Sequence, residues 1–202
     1  MFDAEHIIKN EFENAIRNLT GLLNSDYIKR LSEISMEIAE TLKHGNKVLI
    51  AGNGGSAADA QHFAAELVGR FVAERRGLPA VALTTDTSII TSIANDYRYD
   101  KIFSRQIEAL ATEGDIFIGI STSGNSTNVI EAVKEAKMHG VRTIGFLGKD
   151  GGKLLDICDL ALLVPSDTTA RVQEAQELSY HLICQIVDSV IRNEKEFPGR
   201  QI

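Results

Sequence analysis

Val48-Leu49-Ile50-Ala51-Gly52-Asn53-Gly54-Gly55-Ser56-Ala57 decides the reading of this chain. Four apolar residues in a row, without alternation, describe a strand covered on both faces, as a parallel sheet beneath crossover helices requires. The glycines that follow allow a tight turn and close backbone approach. An amphipathic stretch from about residue 56 to 72 then reads as a helix, so the segment opens a β-α-β unit.

Working downstream, further apolar runs occur at Ala80–Leu83, Ile116–Ile120, Thr143–Leu147 and Leu160–Val164. Helical patterns fill the gaps at about 87–95, 99–111 and 126–139, and a long helix is expected from Asp167 to about Asn193. The fold class is therefore α/β: a five-stranded parallel sheet with flanking helices, flavodoxin-like and doubly wound. Upstream there is no strand signal. Ile7, Ile8, Phe12, Ile16 and Leu19, then Ile28, Leu31, Ile34, Ile38 and Leu42, recur at helical spacing. They predict two N-terminal helices, parted near Asn24-Ser25-Asp26 and closed at His44-Gly45-Asn46. The expected organisation is a single domain over 1–202, with a helical pair at 1–45 and an α/β core at 46–202. A helical pair ahead of a complete α/β unit has little core left to cover, so its apolar stripe is expected to meet a partner subunit.

Bulk composition sets limits. The 202 residues are 44% hydrophobic and 24% charged with three prolines, as in ordinary soluble globular proteins. A formal charge of -7 without a basic run argues against nucleic acid or an anionic membrane as partner. The N-terminal stretch is acidic from Asp3 and lacks the basic and apolar regions of a secretory signal, and no apolar run approaches the ~18 residues of a membrane span, so a cytoplasmic location is expected. Cys158 and Cys184 show no metal-ligand or redox spacing and read as small hydrophobes of a reducing compartment.

In such a sheet ligands bind where strands run into helices at their carboxyl ends. The first turn, Ala51 to Ala57, also matches the dinucleotide fingerprint GxGxxG/A, but the next strand ends Ala82-Leu83-Thr84-Thr85 and offers no ribose-binding acid. The second, Ser121-Thr122-Ser123-Gly124-Asn125-Ser126, places hydroxyls at a helix start, where amides, dipole and side chains converge on an anion; it reads as the main phosphate cradle. Neither carries GxxxxGK[ST], which argues against nucleoside triphosphates. His62 and Glu66 stand four apart on one helix, and Gln173, Glu177 and His181 form a row on another. Spacing leaves these open between a solvated ion pair and a mixed nitrogen and oxygen metal site. Asn95 and Asp96 are equally open between sugar contacts and a helix cap.

The combination AGNGGSAADAQHFAAELVGRF, TSIANDYRYD, ISTSGNSTN and QEAQELSYH closely resembles the phosphoheptose isomerases of the sugar isomerase (SIS) fold, across essentially the whole chain. The resemblance implies an aldose-ketose isomerase acting on D-sedoheptulose 7-phosphate, and a homotetramer assembled with help from the leading helices. It implies that Asn53, Gly54, Gly55, Ser56, Asn95 and Asp96 contact substrate, that Ser121, Thr122, Ser123 and Ser126 hold phosphate, and that Glu66 and Gln173 also face the sugar. It further implies one zinc per subunit on His62, Glu66, Gln173 and His181, with Glu66 and His181 as the acid-base pair. Two alternatives share the loops: a non-catalytic SIS protein that binds the replication initiator, and SIS enzymes for other sugar phosphates. Retention of both Glu66 and His181 favours the heptose enzyme.

Overall fold

The computed structural model describes residues 2–72 and 74–193; the rest of the 1–202 span lies outside the described residues. The deciding stretch folds as read. β1 (Val48–Ala51) is buried at every position and passes through the glycine turn into α3 (Gly55–Val68). Two helices precede it, α1 (Ala4–Gly21) and α2 (Ser25–Lys43). After α3 come β2 (Ala80–Ala82), α4 (Thr87–Asp96), a 3-10 turn at Tyr99–Lys101, α5 (Ser104–Leu110), β3 (Ile116–Ser121) and α6 (Thr127–Met138). β4 (Arg142–Gly148), α7 (Gly152–Ile157), β5 (Leu160–Val164) and α8 (Thr169–Asn193) complete the chain.

All strands pair in parallel in the order β2-β1-β3-β4-β5. Alternate residues of each strand enter opposite cores, as a pleat demands. Val48, Ile50, Ile116, Ile118, Ile144 and Phe146 pack beneath α2, α3 and α8, while Leu49, Ala51, Phe117 and Leu147 pack beneath α5, α6 and α7. From β1 the chain moves first to one side, to β2, and then to the other, to β3. The turns after β1 and β3 consequently diverge and leave a crevice between them, the usual ligand position in an open parallel sheet.

Three details depart from the sequence reading. The stretch 99–111 is not one helix: the turn at Tyr99–Lys101 and α5 are separated by Ile102 and Phe103, both buried. The link between β4 and β5, to which the sequence assigns no element, contains α7; it is short, follows Gly151 and opens on Gly152, and only Leu154 within it is buried, so it has no readable periodicity. α3 also ends at Val68, earlier than expected. There the Arg75 guanidinium donates to the carbonyls of Glu66, Leu67 and Gly69 at 2.9, 2.8 and 3.1 Å, supplying the partners that terminal helix carbonyls lack. It also pairs at 2.5 Å with Asp188 of α8, both side chains being 3% exposed.

α1 stands apart from both sheet layers. None of its residues is buried, and Ile7, Ile8, Phe12 and Ile16 lie exposed. Leu19 joins Leu22, Val164, Val172 and Ala175 in a small separate cluster. Among the described residues no helix is long and apolar enough to cross a membrane.

The sheet is secured at the edge opposite the crevice by two carboxylates. Asp115, 0% exposed, accepts from the Lys47 and Thr112 amides at 2.9 and 2.8 Å and pairs with Lys47 Nζ at 2.6 Å. Asp159 accepts from the Thr143 amide and hydroxyl at 2.8 and 2.6 Å and from Lys137 at 2.9 Å. Burial acts to raise both pKa values, yet these hydrogen bonds outweigh it and hold both carboxyls below the usual range. Their folded pKa values being depressed, the stability they contribute is present above about pH 4 and is lost as pH falls through the folded values. Urea denaturation of Asp115→Asn at pH 7 is expected to show a loss of about 2–3 kcal/mol, the scale of hydrogen bonds to a charged group. The difference from the unsubstituted chain should shrink steadily below about pH 4; a gap that stays constant down to pH 3 would contradict this account.

Candidate active site

Among the seven α-helices with a described N-cap, three are capped by a side chain and four, α3, α5, α6 and α7, are not. α1, α2 and α4 are capped by their own side chains, Asp3, Asn24 and Asp86. α3 and α6, whose first turns face the crevice, have no side-chain cap. Ser126 sits at the α6 cap position, but its hydroxyl is 2.9 Å from that of Ser121; the Val129 amide donates to Asn128 Oδ1 at 3.0 Å, and the amides of Thr127 and Asn128 are left without a side-chain cap. Uncapped amides at the positive end of a helix dipole, edged with hydroxyls, suit a phosphate-like anion.

Both turns are held stiffly. Gly124 has φ +65°, and a Cβ there would overlap the Gly151 carbonyl, so the second turn lies directly against the start of α7. Asn125 spans the same contact, donating to the Ser123 carbonyl at 2.9 Å and accepting from the Lys153 amide at 3.2 Å. Across the crevice, Asn53 and Asn128 exchange two side-chain hydrogen bonds at 2.9 and 2.8 Å, and the Tyr99 hydroxyl donates to Asn53 at 3.2 Å. Asn128 and Tyr99 belong to no expectation from sequence. Asn128 lies within the helical pattern that begins near 126, and only the fold discloses that it faces the other turn.

The acid-base candidates meet in a groove between α3 and α8. The two helices are in register: a Cβ on Gly55 would overlap the Gln173 amide, and Phe63 stacks on Tyr180 with centroids 5.2 Å apart. One row of α3 thus faces one row of α8. His62, Glu66 and His181, all half-buried, each present a ligand atom, and these atoms lie within 4.8 Å of one another. His62 Nε2 is 3.1 Å from Glu66 Oε1, and the His62 and His181 rings meet edge to face at 5.0 Å. Phe71 stacks on His181 at 5.5 Å. Two imidazoles and a carboxylate converging in this way form a donor set that fits zinc or a similar divalent ion. Gln173, two turns before His181 on the same row, links that cluster to the glycine turn.

Three further groups gather there without having been assigned a role from sequence. Tyr180 places its hydroxyl 2.9 Å from His62 Nδ1, and Glu177 approaches the same nitrogen at 3.6 Å. Burial raises the Tyr180 pKa, and the charges of Glu177 and Asp59 add to the shift, which keeps the phenol protonated. Asp59, one turn before His62, has a buried carboxylate oxygen with no hydrogen-bond partner among the described residues. Burial, then the Glu177 charge, push its pKa up to about 6, against an opposing pull from His62. The legible signal for Asp59 was its place at i,i+3,i+7 with His62 and Glu66.

Asn95 and Asp96 close α4 on the exposed surface and hydrogen-bond to each other at 2.9 Å. Neither bonds to the two turns or to the His62, Glu66 and His181 cluster, although Tyr99, shortly beyond them, reaches Asn53. Ser56 is buried beneath the first turn.

Comparison with known proteins accords with this arrangement. The SIS domain family matches residues 11–148. The phosphoheptose isomerase of Aliarcobacter butzleri is 62% identical over 159 residues, 79% of this chain and 84% of that protein. That of Geobacter sulfurreducens is 57% identical over 172 residues, 85% and 91% of the two chains. The solved structure of the Neisseria gonorrhoeae phosphoheptose isomerase superposes with a TM-score of 0.88 at 43% identity, covering 93% of this chain and all 100% of that one. With two uncapped helix ends across the crevice, a histidine and glutamate cluster beside them and relatives of this closeness, the chain belongs to the phosphoheptose isomerase family of SIS-domain proteins.

Proposed function

We propose that the chain interconverts D-sedoheptulose 7-phosphate and D-glycero-D-manno-heptose 7-phosphate, an aldose-ketose isomerisation at the entry to bacterial heptose biosynthesis. The observation that carries this reading is the convergence of His62, Glu66 and His181 beside two helix N-termini that lack caps of their own. One end of the groove suits an anion and the other suits proton transfer, which is what a sugar phosphate with a distant carbonyl needs.

Ser121, Thr122, Ser123 and Ser126, with the α6 amides, hold the phosphate. Asn53, Gly54, Gly55, Ser56 and Gln173 line the path of the sugar chain, with Asn95 and Asp96 meeting its hydroxyls. His62 lies about 10 Å along α3 from Gly55, at a helix rise of ~1.5 Å per residue, so the carbonyl end of an extended sugar comes to the cluster. Glu66 takes the proton from one carbon and returns it to its neighbour through a cis-enediol, while His181 moves protons at the two oxygens. A carboxylate has two oxygens, and Glu66 can keep one toward His62 while the other takes the proton. His62, Glu66, Gln173 and His181 would hold one zinc per subunit, which when bound supplies polarisation of the carbonyl and stabilisation of oxyanion charge. The partly solvated groove is closed most simply by a second subunit. Leu178 and Leu182 stand exposed next to Glu177 and His181, and an apolar groove of about 310 Å³ runs between them and Leu19, Leu23 and Ile28. With the bare stripe of α1, this supports association through the helical pair; the reading is a homotetramer of single SIS domains, in the cytoplasm.

Glu66→Gln should lower kcat by at least ~100-fold with KM little changed, followed by NMR with sedoheptulose 7-phosphate; near-normal turnover would remove Glu66 from the chemistry. Ser123→Ala and Ser126→Ala should instead raise KM by roughly 5–10-fold, the worth of one lost hydrogen bond, with kcat nearly kept. Phe12→Glu should shift the chain to smaller species in light scattering, and an unchanged mass would separate α1 from assembly.

A further inference from the structure

His62 must choose between two neutral forms, because an imidazole with one N–H can present a lone pair from only one ring nitrogen. Its Nε2 lies 3.1 Å from Glu66 Oε1, an acceptor-only carboxylate that draws the proton to Nε2 when no cation stands between them. For that nitrogen to ligate a cation, the proton has to sit on Nδ1. Nδ1 has two neighbours. The Tyr180 hydroxyl lies at 2.9 Å and can accept or donate. The Glu177 carboxylate lies at 3.6 Å and can only accept. It also interacts with the Tyr180 hydroxyl itself.

The hydroxyl on its own would not decide the matter: donating its proton to Nδ1, it would force the hydrogen onto Nε2 and toward Glu66, the form unable to bind metal. An acceptor-only carboxylate beside it draws the phenol proton away, and leaves the phenol oxygen to accept from Nδ1–H. The ring that carries the hydroxyl cannot drift, since Tyr180 is 1% exposed and stacked on Phe63 at an interplanar angle of 16°.

We propose that Glu177 and Tyr180 form an outer dyad that accepts the His62 Nδ1–H once Nε2 is given to a divalent cation shared with Glu66 and His181, and so stabilises the ligating tautomer. Both are positioning residues, and the inference rests on the reading of that cluster as a metal site. Outer partners of ligating histidines commonly change metal affinity by ~10–100-fold. The dyad is built from two positions of α8, and its parts are separable: Glu177 is exposed and dispensable for packing, whereas Tyr180 can lose its hydroxyl and keep its ring.

The test measures zinc affinity by competition with a chromophoric chelator in the full chain and in Tyr180→Phe, Glu177→Gln and His62→Gln. It is joined to nitrogen-15 NMR of the His62 ring in metal-free and zinc-bound protein. Tyr180→Phe and Glu177→Gln should each weaken zinc by roughly 10-fold or more, less than His62→Gln, with melting temperatures close to that of the unsubstituted chain. The metal-free ring should show Nε2–H, held by Glu66, and zinc should move the proton to Nδ1. If the unsubstituted chain binds zinc and both dyad variants match it within twofold, the dyad is overturned and the metal site stands. If the unsubstituted chain competes for no zinc while remaining folded, the metal site fails and the dyad with it.

Discussion

The face-to-face packing of Phe63 on Tyr180 sets how far along each other α3 and α8 lie. Aromatic rings of this size bury much surface and tolerate few offsets, so the register they impose is stiff. Everything chemical in the groove follows from it. One turn and more toward the crevice, Gln173 reaches Gly55; at the level of the rings, His62 meets Tyr180 and His181. At the other end of α3 the buried Arg75 and Asp188 pair ties the helix terminus to α8 a second time. A buried ion pair of this kind adds little net stability over apolar packing, but breaking one partner is costly, which makes it a good device for fixing position.

The crevice obeys a different constraint. Reversal of strand order between β1 and β3 parts the two turns, and the mutual amide hydrogen bonds of Asn53 and Asn128 limit how far they separate. A chain of charge -7 can still attract a phosphate there, because the attraction comes from oriented amides and not from cationic side chains. On the proposed reading, binding and chemistry rest on different physics: dipoles and hydroxyls for the anion, titratable groups for the protons.

Local chemistry was enough to determine much of this protein. Unbroken apolar runs such as Val48–Ala51 can only be strands covered on both sides, and the glycine and serine turns that follow them can only be useful where a sheet delivers them to a ligand. The two leading helices, the five strands and the phosphate-type loops were therefore legible, as were His62 and Glu66 as a pair, since four residues along a helix is a contact. Gly152–Ile157 was not legible, because a single buried leucine carries no period.

Only the tertiary structure decided what stands opposite what. Glu66 and His181 are 115 positions apart in the chain, and no spacing rule relates residues on different helices. Their meeting depends on the register between α3 and α8, which is a property of packed surfaces. The same holds for Asn128 against Asn53, Gln173 against Gly55, and Tyr180 with Glu177 against His62. Sequence periodicity can say which face of a helix is polar; which polar face it meets is settled by the shape of the core between them.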